Sequence, residues 1–163
     1  IKMFGKKLEI KIDKMPAINK SGEIDMYGEE NAVEATVTNL SDPDRVLKVC
    51  CYAYRDNDPD FPGIPYLKVD MAFKDGAEEV KDSWSREIKR EYAGGAVILQ
   101  EGMVKLRNEK GKLYTPVYKA MKKMSEEIAR KEAVFAKETD KSRFEALMSD
   151  FAKKKRWWSR ESR

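Results

Sequence analysis

Asp56, Asp58 and Asp60 alternate along the stretch DNDPDFPGIP, as do the first three carboxylate ligands of a calcium loop. Such a loop also needs glycine at its sixth position and a bidentate acid at its twelfth. Here those positions hold Phe61 and Leu67, so the aspartates read as a solvated acidic turn. Asp70, followed by Glu87-Ile88-Lys89, has the residue types with which a nuclease holds Mg²⁺ and positions water. Glu87 and Lys89 fall in a segment predicted to be helical, where residues i and i+2 do not share a face. Glu9-Ile10-Lys11 has strand spacing but no upstream acid to pair with. A metal-dependent nuclease using Asp70 and Glu87 is carried only as an alternative.

Other chemistry lacks a component. Histidine is absent, which removes the commonest general base, metal ligand and near-neutral proton switch. Cys50 or Cys51 as a nucleophile would have no imidazole to activate it. Being adjacent, the two point to opposite faces of a strand and do not bridge there. That suits small buried side chains in a reducing, intracellular compartment. Gly94-Gly95 has no phosphate-loop spacing, and Gly111-Lys112 is followed by Leu113 rather than Ser or Thr. The sequence thus points to no catalytic residue, no metal ligand and no cofactor, and to a non-enzymatic protein.

The strongest asymmetry lies at the C-terminus. The net charge of the chain is +4, yet Lys153, Lys154, Lys155, Arg156, Arg160 and Arg163 against Glu161 place +5 in the last eleven residues, leaving −1 elsewhere. Trp157 and Trp158 lie inside this cluster. A compact positive field binds phosphate backbones or anionic lipid. Indole rings stack on unpaired bases or sit at a bilayer interface. Capping a helix C-terminus needs only one or two cations. The eight residues Lys153 to Trp158, Arg160 and Arg163 are therefore assigned to nucleic acid first, RNA above DNA. A protein neighbour, an anionic membrane and simple solubilisation follow in that order.

The elements that must present this tail follow from periodicity. Leu8, Ile10 and Ile12 alternate with charged residues, as do Val33, Ala35 and Val37 with polar ones, the pattern of half-buried strands. RVLKVCCYAYR is apolar or aromatic almost throughout and reads as a central strand covered on both faces, and Leu67 to Phe73 alternates again. Asp75 with Glu78 resembles a capping box, and Val80, Trp84, Ile88 and Tyr92 recur every four residues, so a helix is predicted over about 76–92 and ended by Gly94-Gly95. AVILQ and GMVKLR read as strands, RNEKGK as a turn and KLY as a return strand. Thr115-Pro116 opens a helix carrying Val117, Met121, Met124, Ile128 and Phe135. A break is expected at Lys137–Lys141, before a second stripe of Phe144, Leu147, Met148 and Phe151.

The chain therefore reads as α+β. Residues 1–115 form an antiparallel, β-sandwich-like sheet domain with one inserted helix, and residues 116–163 form a C-terminal helical arm. Met121, Met124, Ile128, Phe144, Met148 and Phe151 are the expected subunit contacts. The function expected is that of an oligomeric structural protein, such as a subunit of a ribonucleoprotein or virus particle. The alternative is a peripheral, matrix-like protein using the same tail on anionic membrane.

Overall fold

The computed structural model describes residues 7–56, 60, 63–89 and 94–161, with side chains described as far as Lys153. Five strands form one antiparallel sheet in the order β1-β2-β3-β4-β5: β1 (Leu8–Lys14), β2 (Val33–Asn39), β3 (Asp42–Asp56), β4 (Ile64–Asp75) and β5 (Glu78–Glu87). Two helices follow, α1 (Gly95–Lys110) and α2 (Thr115–Glu161), joined by a short 3-10 turn at Gly111–Tyr114. The sheet is therefore a meander in which each strand pairs with its sequence neighbour.

Alternation along the strands decides which face is covered. Val33, Ala35 and Val37 of β2 line up with Leu47, Val49 and Cys51 of β3 and with Leu67, Val69, Met71 and Phe73 of β4. All are buried on one side of the sheet. Ile98, Leu99 and Leu106 of α1 and Val117, Ala120, Met121, Met124 and Ile128 of α2 close the core from above. This is a two-layer arrangement of one sheet under two helices. The expected sandwich is not found, because the helices occupy the position a second sheet would take.

Two element assignments are corrected. The predicted helix over 76–92 is strand β5 from Glu78 to Glu87, paired along its length with β4 from Asp75 to Tyr66. A spacing of four residues fits both periods, since i and i+4 share a helix face and also a strand face. Asp75-Gly76 is not a cap but a hairpin turn. Gly76 has φ +61 at the first central position, the left-handed value a II′ turn requires there. Conversely, AVILQ and GMVKLR are one helix, with Ile98, Leu99, Gly102 and Leu106 turned inward. The return strand at KLY lies in the 3-10 turn.

The helix from Thr115 is uninterrupted, and the expected break at Lys137–Lys141 is absent. At about 1.5 Å per residue its 47 residues extend roughly 70 Å. Its N-terminal half is fixed by polar ties as well as by the core. Lys123 Nζ donates to the Ile10 carbonyl at 2.6 Å, Ser125 Oγ to the Ala96 carbonyl at 2.9 Å, and the Ile24 amide donates to Glu132 Oε1 at 3.0 Å. Phe135 lies against Gly22, where a Cβ would come within 2.8 Å of its ring. Beyond this point the helix leaves the body, and every residue from Asp140 to Lys153 is exposed.

Candidate functional site

The distal part of α2 is the first candidate. Met121, Met124 and Ile128, expected at a subunit contact, are fully buried in the chain's own core. They are corrected to packing residues between α2 and the sheet. Phe144, Leu147, Met148 and Phe151 are instead 61, 67, 50 and 65% exposed, a run of large apolar side chains on an otherwise charged helix. Leu147 completes this stripe. Lys153 is exposed at its end. Lys154, Lys155, Arg156, Trp157, Trp158 and Arg160 fall in the helical span of α2, but their side chains lie outside the described residues, as does all of Arg163. The tail's sequence is thus carried by a helix that projects from the body.

The second candidate is the uncovered face of the sheet, which sequence alternation alone does not single out. It holds a cleft of about 820 Å³ with Asp13, Glu34, Lys48, Cys50, Asp70 and Lys81 along its walls. Cross-strand register places Lys14, Glu34, Cys50, Asp70 and Ser83 in one row. Two of its carboxylates, Asp70 and Asp13, have partners on the sheet. Ser83 Oγ donates to Asp70 at 2.7 Å and Thr36 Oγ1 donates to Asp13. Beside the cleft, Tyr54 and Tyr66 stack at 5.5 Å between ring centroids, with Tyr52 6.1 Å from Tyr54.

The chemistry of this face is limited by its spacing. Asp70 sits opposite Ser83, and Glu87 lies four residues further along β5, about 13 Å away at the rise of a strand. The structure therefore does not bring Asp70 and Glu87 to a common point. Among the described residues no group of three potential metal ligands comes together. Of the aspartate triplet, Asp56 ends β3, Asp60 is described, and Asp58 lies outside the described residues. Cys50 and Cys51 take opposite faces as their adjacency predicts, Cys51 in the core and Cys50 in the cleft wall. Burial, then Glu34 and Asp70, push the Cys50 thiol up to about 11, so it stays protonated and weakly nucleophilic near neutrality.

The edge strand β5 is clamped to the helices by charged groups on the covered side. Trp84 Nε1 donates to Glu109 Oε2 at 2.6 Å, and Arg86 pairs with the same carboxylate at 2.5 Å. Tyr114 donates its hydroxyl to Asp82 Oδ2 at 2.6 Å, with Lys110 Nζ 3.6 Å from that oxygen. Burial and then the bond to Asp82 push the Tyr114 phenol up to about 12. The same hydrogen bond holds the Asp82 carboxyl below its usual value. A raised phenol pKa contributes stability that is complete below about pH 10 and is lost as pH rises through 12. A lowered carboxyl pKa contributes stability present above about pH 4 and lost below it. Tyr114→Phe is therefore expected to flatten both ends of the stability profile. The check is the urea midpoint between pH 9 and 11.5 and between pH 5 and 3, beside the wild type.

No described helix is long and apolar enough to cross a membrane. Against known proteins, the chain matches no family model, no curated protein and no solved structure.

Proposed function

We propose that this chain is a non-enzymatic assembly protein whose α2 arm presents a basic, tryptophan-containing tail to nucleic acid, in the first place single-stranded RNA. It would serve as an intracellular subunit of a larger particle, a ribonucleoprotein or virus particle. The observation that carries this reading is the placement of charge. The body is near neutral, and the +5 of the last eleven residues follows a helix that leaves the body after Phe135. Charge held away from a neutral body reaches an extended polyanion without the body obstructing it. The cleft on the open sheet face supports an enzyme less well, since Asp70 and Glu87 stand apart and Cys50 stays protonated.

The test compares the intact chain with one ending at Ala152, on single-stranded RNA and on vesicles containing phosphatidylserine, across a salt series. Salt-sensitive RNA binding that disappears with the truncation supports the proposal. Vesicle binding without RNA binding would favour the matrix-like alternative, and equal weak binding by both chains would reject the tail as an anion-binding element.

A further inference from the structure

The floor of the cleft on the open sheet face is made by one small residue from each of four neighbouring strands. Thr36, Cys50, Ala72 and Ser83 lie on β2, β3, β4 and β5 in turn. Both helices pack on the other face of the sheet, so neither fills this space. Its volume of about 820 Å³ is that of a small-molecule site. Larger side chains rise around the floor in three rows set by cross-strand register. Lys48 and Lys81 flank Ala72 in the first. Glu34 and Asp70 flank Cys50 in the second. Tyr52 stands in the third, opposite Lys68. Successive rows are two residues apart, about 6.7 Å along the strands.

Asp70 accepts from Ser83 Oγ at 2.7 Å, and Lys81 Nζ is 3.9 Å from Glu79. The Glu34 carboxylate and the Lys48 ammonium have no hydrogen-bond or ion-pair partner among the described residues. Across the rows the chemistry runs from cation to carboxylate to aromatic ring. Each matches a different part of one kind of ligand. A phosphate accepts hydrogen bonds from ammonium groups. A ribose donates its hydroxyls to a carboxylate. A base stacks on a tyrosine face. Other occupants use only part of this surface. A polyanion lying along the sheet would meet the carboxylates as well as the lysines, and an apolar molecule would leave both without partners.

We infer that the cleft takes one 5′-ribonucleotide, its phosphate over Ala72 between Lys48 and Lys81, its ribose over Cys50 within reach of Glu34, and its base against Tyr52. Glu34 then reads the 2′-hydroxyl, the group by which a protein tells RNA from DNA. That the nucleotide belongs to an RNA strand rests on the reading of the tail given above; the site itself does not. A single nucleotide site is too weak to retain a strand once the tail is removed, and it selects among strands that the tail has captured.

The test titrates adenosine 5′-monophosphate into the intact chain and follows backbone amide shifts by NMR. A dissociation constant of about 0.1–1 mM is expected, with the shifts centred on Cys50 and Ala72. The 2′-deoxy nucleotide should bind about tenfold more weakly, the scale of a lost hydrogen bond to a charged group, and Glu34→Ala should remove that difference. Tyr52→Ala should weaken both nucleotides about tenfold. Lys48→Gln with Lys81→Gln should weaken both and leave adenosine, which has no phosphate, unaffected. Glu34→Gln should weaken the ribonucleotide severalfold. A carboxylate that only repels phosphate would instead bind it more tightly once neutralised, and that result would overturn the inference. Shifts confined to residues after Ala152, or equal binding of the two nucleotides by the wild type, would also overturn it. Short adenine strands of RNA and DNA then separate the two sources. A preference for RNA that Glu34→Ala abolishes places the nucleotide in a strand, and discrimination between the free nucleotides alone makes it a free ligand. Failure to bind either strand, with nucleotide binding in the cleft intact, would count against the tail reading and support this site.

Discussion

Gly102→Ala should destabilise this protein although it replaces a poor helix former by the best one. In an exposed helix the change would gain about 1 kcal/mol. Here Gly102 faces β4, and a Cβ built on it falls 2.1 Å from Leu67 Cδ2, with Met121 Cε 3.7 Å away. Leu67 and Met121 are both fully buried, so either must repack within the core to make room. Overpacking costs about 1–3 kcal/mol, and so close an approach belongs toward the upper end of that range, so a net loss of up to about 2 kcal/mol remains after the propensity gain. Leu67→Ala alone removes a fully buried side chain and should cost about 3–5 kcal/mol. In that background the sign reverses: Gly102→Ala now fills part of the cavity and recovers about 1 kcal/mol. Urea denaturation of the four chains reads the cycle directly. Stabilisation by Gly102→Ala in the wild-type background would mean that α1 and β4 do not approach as closely as described.

The same glycine shows why part of the fold was legible in the sequence and part was not. Strands β1, β2 and β4 each carry an alternation that has no helical counterpart, such as Leu8-Ile10-Ile12 or Leu67-Val69-Met71-Phe73, and a covered face follows from it directly; β3 reads instead as covered on both faces, because Cys50, Tyr52 and Tyr54 of its open face count as apolar or aromatic. In β5 the apolar residues stand four apart, where helix and strand periods coincide. The deciding signal was Asp75-Gly76 between two strand-like runs, a hairpin dipeptide that also passes for a cap. In α1 the inward set of Ile98, Leu99, Gly102 and Leu106 has helical spacing. It was obscured because Gly102 carries no side chain to count and reads as an interruption. Its absence of a side chain is what lets the helix approach Leu67.

For the candidate site the division is similar. The concentration of cations after Ala152 is a property of composition and needs no coordinates. The two methionine-containing stripes of α2 looked alike as sequence, both amphipathic and both rich in flexible side chains. Only the packing separates them, with Met121, Met124 and Ile128 sealed against the sheet and Phe144, Leu147, Met148 and Phe151 left outside. The open sheet face could not be anticipated, because whether a polar strand face is covered depends on where the helices cross.

Affinity of the intact chain for single-stranded RNA should fall about a hundredfold between 50 and 200 mM salt, from the number of cations the tail brings. Six lie between Lys153 and Arg163. If about five each neutralise a phosphate, the slope of log affinity against log salt is about −3.5, and a fourfold rise in salt lowers affinity by roughly two decades. The tryptophans contribute a different term. Stacking is worth about 1–3 kcal/mol per base and depends little on salt. Trp157→Ala with Trp158→Ala should therefore lower affinity about equally at every salt concentration and leave the slope unchanged. Lys154→Gln with Lys155→Gln should reduce the slope by about 1.4 and affect affinity most at low salt. A tail that acts only as a diffuse cationic field would show the second effect without the first. A tail that serves as a hydrophobic anchor for a protein partner would show neither on RNA. The separation of slope from intercept thus distinguishes recognition of an unpaired strand, which offers bare base faces, from attraction to any polyanion.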